Sequence, residues 1–355
     1  MLGKKILIIT PNFNFGGAEK VSVTIANLLQ LAGFNVEILT LDTTGPLKNV
    51  LNENVQVKRL DGRRARYCFF YMRKFFKYNK YDLVFSNTVR LNLIASLVKA
   101  TTDNIPKLIL REYNNPYKTF SGAGIIKRKL LGLIYSIADY VIAQNEEMKN
   151  DINSFYGISL NSIKVLKNPL LPNLKSEYKS SVPFILYVGR LSEQKNVSAL
   201  ITAYSITNKA IKDYKLYIFG DGILKDELLS QVRMLGLEGR VEFFCPIVDI
   251  LDVMKAARLL VLPSIYEGSP NVVFESLSCG TPVIVSNILE QYEEIFTGNP
   301  NFGSVVNVNP YEKDAFIKEL ASSIDNSLEL EKPVFLYSND NNKKLEDFFF
   351  EACKD

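Results

Sequence analysis

Residues 6–41 read ILIITPNFNFGGAEKVSVTIANLLQLAGFNVEILTL. The β-branched run Ile6–Thr10 enters a turn with adjacent glycines, Gly16 and Gly17. Val21, Ile25, Leu28 and Ala32 then repeat at helical spacing, Gly33 offers a stop, and a second apolar run follows at Val36–Leu41. A period that changes from strand to helix and back within one stretch marks a parallel strand–helix–strand unit.

The alternation continues outward. Runs at Leu83–Ser86, Leu108–Arg111, Tyr140–Ala143 and Lys164–Leu166 complete a first series. Phe184–Val188, Leu216–Phe219, Val241–Phe244, Leu259–Leu262, Val283–Val285 and Ser304–Val308 form a second. Helical patterns separate the runs in both, so the expected fold is α/β with two Rossmann-like domains of mostly parallel sheets. A chain of 355 residues also exceeds what one hydrophobic core usually serves. The expected domains are 1–172 and 173–335, followed by a terminal segment, 336–355. The helical pattern of that segment ends in Phe348-Phe349-Phe350-Glu351-Ala352 and is a candidate to pack back on the first domain. Asn168 to Pro172, with the polar residues 173–181 behind it, reads as the linker, and no short repeat of the solenoid kind is present.

The composition, 47% hydrophobic and 23% charged, is that of an ordinary folded protein. The apolar stretches are far shorter than the ~20 residues that cross a bilayer. The run after Lys4 and Lys5 meets Pro11 too soon for a signal-peptide core, so a cytoplasmic location is expected, with peripheral attachment to the inner face of the membrane as an extension. The chain has no histidine, and its four cysteines lack C-x-x-C spacing, which removes the usual zinc constellations and any His dyad or triad. The cysteines read as buried structural thiols.

Charge is unevenly divided. Residues 1–177 carry 25 Lys and Arg against 13 Asp and Glu, whereas residues 178–355 carry 17 against 25. A basic first half suits an anionic partner such as a membrane surface or a lipid diphosphate. There, Lys58, Arg59, Arg63, Arg64, Arg66, Arg73, Lys74 and Lys77 are interleaved with Tyr67, Phe69, Phe70, Tyr71, Phe75 and Phe76, and Lys127, Arg128 and Lys129 form a second cluster. A basic helix with aromatics can lie on an anionic membrane. A solvated basic face over core aromatics has the same pattern. No nucleic-acid-binding module is recognisable, so nucleic acid is not an expected partner.

Several segments could carry chemistry. The turn Gly16-Gly17-Ala18-Glu19 opens a helix directly after a strand, where unpaired N–H groups suit a phosphate or a sugar hydroxyl; a plain βα turn reads the same way. Arg190 and Lys195 straddle the loop after the first strand of the second series, at the sheet edge where doubly wound folds bind ligands. Gly220 lies in another glycine-rich crossing at that edge, Gly220-Asp221-Gly222. The segment from Pro263 to Pro282 is the sharpest. Glu267 and Glu275 flank a Gly268-Ser269-Pro270 turn, with Pro270 as the first helical residue and Glu275 about two turns along. The free amides of Asn271, Val272 and Val273 lie between them.

Taken in order, the Gly16-Gly17 turn, the Gly189-Arg190-Leu191 to Lys195-Asn196 loop and the Glu267 to Glu275 segment resemble the retaining glycosyltransferases of family 4, over nearly the whole chain to about Asp325. The resemblance implies a GT-B fold, with the two sheets facing a central cleft, and metal-independent transfer from a nucleotide sugar without a cofactor. It implies that Arg190 and Lys195 bind the donor diphosphate and that Glu275 grips the ribose hydroxyls. Glu267 would then sit beside the transferred sugar, and Gly16 and Gly17 beneath donor phosphate and acceptor. A UDP-hexose or UDP-N-acetylhexosamine is the expected donor. A saccharide or polyprenyl-diphosphate-linked saccharide in cell-surface polysaccharide synthesis is the expected acceptor. Many relatives carry a histidine in a segment like Arg111-Glu112-Tyr113-Asn114-Asn115-Pro116, where this chain has Tyr113; Tyr113 or Glu112 is the candidate substitute. The missing histidine also motivates an alternative, a noncatalytic accessory protein of the same fold that binds a nucleotide sugar. A nonhydrolysing sugar epimerase shares the fold but not the Glu267 to Glu275 pattern.

Overall fold

The computed structural model describes residues 3–60, 65–169, 178, 180–208, 210–246, 250–267, 270–289, 291–333 and 340–354. The chain divides into two compact units, Met1–Leu171 with Ser338–Asp355, and Pro172–Tyr337. Several sequence-stretch expectations fall outside the described residues. These are the linker at 170–177 and 179, Arg63 and Arg64, Gly268 and Ser269, and positions 334–339.

In the first unit β1 (Lys5–Thr10), α1 (Gly17–Leu31), β2 (Asn35–Thr40), β3 (Gln56–Arg59), α2 (Ala65–Tyr78), β4 (Leu83–Ser86) and α3 (Val89–Lys99) are followed by β5 (Leu108–Arg111), α4 (Pro116–Thr119), α5 (Ile125–Tyr135), β6 (Tyr140–Ala143), α6 (Glu146–Tyr156) and β7 (Ile163–Val165). The seven strands pair in the order β3-β2-β1-β4-β5-β6-β7, all parallel. Alternate residues of each strand point to opposite faces. Leu7 and Ile9 of β1 therefore enter one core with α2, α3, α5 and α6, while Ile6 and Ile8 enter another with α1. Burial on both faces is why the central strands read as unbroken apolar runs.

The strand β3 is absent from the sequence reading because it is an edge strand with a polar sequence, Gln56-Val57-Lys58-Arg59, and no fully buried residue. The helix α14 (Asp340–Ala352) joins the second of these cores: Leu345, Phe349 and Ala352 are buried at helical spacing. The Phe349 ring meets Phe85 at 5.7 Å, and Phe350 meets Phe34 at 4.3 Å.

The second unit runs β8 (Phe184–Val188), α7 (Val197–Ser205), α8 (Ala210–Asp213), β9 (Lys215–Phe219), α9 (Lys225–Met234), β10 (Val241–Phe244), α10 (Ile250–Ala256), β11 (Leu259–Leu262), α11 (Asn271–Ser278), β12 (Val283–Ser286), α12 (Gln291–Phe296), β13 (Gly303–Val306) and α13 (Lys313–Ser327). Its six strands are also parallel, in the order β10-β9-β8-β11-β12-β13. The chain winds outward from β8 through β9 to β10, then restarts beside β8 with β11. This reversal places a switch point between β8 and β11, and the first unit has its counterpart between β1 and β4. Of the cysteines, Cys68 and Cys279 are buried and Cys353 partly so. Cys245 is exposed just past β10, contrary to the reading of four buried thiols.

Candidate active site

In the second unit the two loops that leave the switch point are joined to each other. A single 3-10 turn, Glu193–Lys195, follows β8 and ends at Asn196 in a left-handed conformation (φ 51°). The loop after β11 runs beside it: the Ile265 amide donates to the Gln194 carbonyl at 2.8 Å, and Gln194 Nε2 donates to the Tyr266 carbonyl at 3.0 Å. These bonds bring Lys195 Nζ against Glu267 Oε1, which also accepts from Ser264 Oγ at 2.6 Å. Both charged side chains are largely covered, 14% and 8% exposed, so the pair is screened less than a surface ion pair.

Arg190 sits at the mouth of the same loop, exposed, with its carbonyl accepting from the buried Tyr187 hydroxyl at 2.9 Å. Gly220 borders it for a steric reason: a Cβ there would lie 2.0 Å from the Gly189 carbonyl oxygen, so only glycine lets the two loops pass. Glu275 is buried on α11. Two details differ from the sequence reading. Pro270 is the cap residue and the helix begins at Asn271, which puts Glu275 little more than one turn in. The Val273 amide is not free, because it donates to the Pro270 carbonyl at 3.1 Å in a tightened first turn. Val273 itself is fully buried, while Asn271 and Val272 are half-buried. Arg190, Lys195, Gly220 and Glu267 thus gather at the carboxyl ends of β8, β9 and β11, with α11 leading away from them.

The first unit holds the other expected residues. Gly16 takes the cap position of α1 with no side-chain cap, and Gly17 begins the helix. Tyr113 is half-buried in the segment between β5 and α4. Glu112 does not reach solvent: it is fully buried, and its Oε1 accepts from the hydroxyls of Tyr135 and Tyr156, whose rings stack at 4.3 Å. It therefore offers no accessible carboxylate in place of the histidine. Burial pushes its carboxyl up to about 7, against the two tyrosine hydrogen bonds and Arg111, and burial pulls Arg111 down to about 9. No group of three or more His, Cys, Asp or Glu able to hold a metal ion occurs among the described residues.

Residues 15–171 match the family described as Glycosyltransferase Family 4, and residues 174–339 match Glycosyl transferases group 1. The chain belongs to glycosyltransferase family 4. Among curated relatives of this family 4 chain is the N-acetylgalactosamine-N,N'-diacetylbacillosaminyl-diphospho-undecaprenol 4-alpha-N-acetylgalactosaminyltransferase of Campylobacter jejuni, 27% identical over 86% of this chain and 87% of that enzyme. A second enzyme of that organism, GalNAc-alpha-(1->4)-GalNAc-alpha-(1->3)-diNAcBac-PP-undecaprenol alpha-1,4-N-acetyl-D-galactosaminyltransferase, is 26% identical over 99% and 94%. Anabaena HepE, solved in complex with UDP-glucose, superposes with a TM-score of 0.74 at 19% identity, covering 98% of this chain and 99% of HepE. The fold is GT-B.

The buried Glu112 gives this family 4 chain a pH signature. A carboxyl raised on folding is protonated in the native state where the unfolded chain has already ionised, so stability is lost as pH rises from about 4.5 to about 7. Glu112→Gln lacks this loss. In urea unfolding its stability should gain on wild type by about 3 kcal/mol between those two pH values. A difference that does not vary with pH would contradict the assignment.

Proposed function

We propose that this glycosyltransferase moves a hexosyl or N-acetylhexosaminyl group from a UDP-sugar to a polyprenyl-diphosphate-linked saccharide, with retention of configuration and without a metal ion, in cell-surface polysaccharide synthesis. The observation that carries the reading is the Lys195–Glu267 pair across the β8/β11 switch point, with exposed Arg190 on one side and buried Glu275 on the other. Lys195 and Arg190 supply the positive charge that a departing diphosphate needs, and the first turn of α11 adds helix-terminal N–H groups. Preorganised charge of this kind is worth ~3 kcal/mol per donor group in the transition state. Lys195 is held by Glu267. A bound diphosphate would share that ammonium and leave Glu267, still held by Ser264, beside the transferred sugar. Glu275 would take the ribose hydroxyls. Tyr113 is the candidate for the missing histidine's role toward the sugar, and Gly16 and Gly17 for contacts with donor phosphate and acceptor. The acceptor class follows from the undecaprenyl-diphosphate substrates named for the two Campylobacter relatives.

A membrane-side acceptor also fits the surface of the first unit. The helices α2, α3 and α5 lie side by side on one face, and none contains an acidic residue while each carries at least two Lys or Arg. Their outer faces expose Phe70, Tyr71, Ile126, Leu130 and Leu133. A cationic face with apolar side chains turned outward suits an anionic lipid surface at the inner face of the membrane. No helix among the described residues is long and apolar enough to cross a membrane.

Two measurements test the reading. With UDP-N-acetylgalactosamine or UDP-glucose and an undecaprenyl-diphosphate-linked saccharide, in EDTA, Lys195→Ala should lower kcat/KM by roughly 100-fold while the protein stays folded. Unchanged transfer would refute the role of Lys195, and UDP binding without transfer by wild type would favour a noncatalytic binding protein. In sedimentation with phosphatidylglycerol vesicles at low salt, wild type should pellet and the Ile126→Asp, Leu130→Asp double variant should remain in the supernatant. Equal retention of both would remove the membrane assignment.

A further inference from the structure

The switch point of the first unit, between β1 and β4, is also crossed by a side chain. Asn87 follows β4 directly and is fully buried. Its Nδ2 donates to the Ala18 carbonyl at 2.7 Å and to Ser22 Oγ at 3.2 Å, and Ser22 Oγ donates to the same Ala18 carbonyl at 3.1 Å. Its Oδ1 accepts from Arg111 Nη1 at 2.9 Å, and Arg111, the last residue of β5, is 2% exposed. One amide side chain therefore links the ends of β4 and β5 to the first turn of α1, immediately behind Gly16 and Gly17. That turn has no side-chain cap of its own.

Packing does not account for this arrangement. Arg111 Nη2 and Glu112 Oε2 are buried and have no hydrogen-bond partner among the described residues. Buried polar groups so incompletely satisfied cost stability, and apolar residues of similar volume often serve a core as well or better. What the polar set provides is geometry. An asparagine that both accepts from a fixed guanidinium and donates to a helix carbonyl has one orientation and one length, so it sets where the helix begins.

We propose that Asn87, oriented by Arg111, is a positioning residue that holds the first turn of α1, and with it the Gly16-Gly17 backbone, in register for contact with substrate. The proposal rests on the reading of that turn as part of the transferase site.

The test uses the full chain and two independent readouts. Asn87→Asp keeps the size of the side chain and an acceptor for Arg111 but cannot donate to Ala18. Hydrogen exchange of the amides of residues 20–22, the first bonded into α1, should accelerate at least tenfold. With whichever of the two UDP-sugars turns over in wild type, kcat should fall at least tenfold while exchange of the β6 and β7 amides, at the other edge of the sheet, stays within twofold of wild type. A general loss of structure would instead accelerate exchange in β6 and β7 as well, and that outcome overturns the proposal. So does unchanged exchange at residues 20–22, or accelerated exchange there with unchanged kcat. If Asn87→Asp does not fold, Ser22→Ala removes the second bond to Ala18 and the weaker of the two acceptors of Asn87 Nδ2, and should give a two- to threefold effect in both readouts; no effect in either overturns the proposal equally. Accelerated exchange in a protein whose wild type transfers no sugar would instead sink the transferase reading and leave the positioning of α1 by Asn87 intact.

Discussion

The ion pair between Lys195 and Glu267 is the constraint on which the second unit's site depends. Its two members come from loops 72 residues apart in sequence, and they meet only because β11 returns to the side of β8. Winding of the sheet thus decides which side chains share the switch point, and the hydrogen bonds among Gln194, Ile265 and Tyr266 hold the loops close enough for the pair to form. An ammonium and a carboxylate so covered are poised for exchange. On the proposed function a diphosphate would compete for the cation, and a sugar hydroxyl for the anion. The first unit repeats the device with neutral groups, Asn87 reaching from the end of β4 to the first turn of α1. In both units the carboxyl edge of the central strands is where backbone, charge and helix terminus converge.

Much of this was legible in the sequence, and the reasons are local. Central strands such as β1 and β8 are buried on both faces, so their apolar runs announce them. Gly220 sits where two loops cross closely, which restricts that position to glycine, whereas a Cβ at Gly17 would meet nothing within 4 Å and one at Gly16 only the end of the Glu19 side chain. The loop holding Arg190 and Lys195 is a single short turn, so spacing alone placed both at one edge. The polar edge strand β3 escaped because only Val57 among its four residues is apolar, and it pairs on one side only.

What the sequence could not show depends on neighbours in the sheet. Asn87, Arg111 and Glu112 have no motif spacing; they are brought together because β4 and β5 are adjacent strands that end at the same level. Nor does spacing reveal that Glu112 points into the core toward Tyr135 and Tyr156, while its neighbour Tyr113 remains half-buried. The amide of Val273 is a finer case. Whether the first turn of a helix keeps its N–H groups free or closes with a shorter bond is set by the turn before it, and here the Pro270 carbonyl takes that amide.

The most direct test of the account is a crystal structure of the chain grown with UDP in EDTA. The account predicts the diphosphate in the second unit, with its oxygens about 3 Å from Lys195 Nζ and the Arg190 guanidinium and with the ribose hydroxyls on Glu275. UDP bound elsewhere, or bound only when a divalent metal is restored, would contradict it.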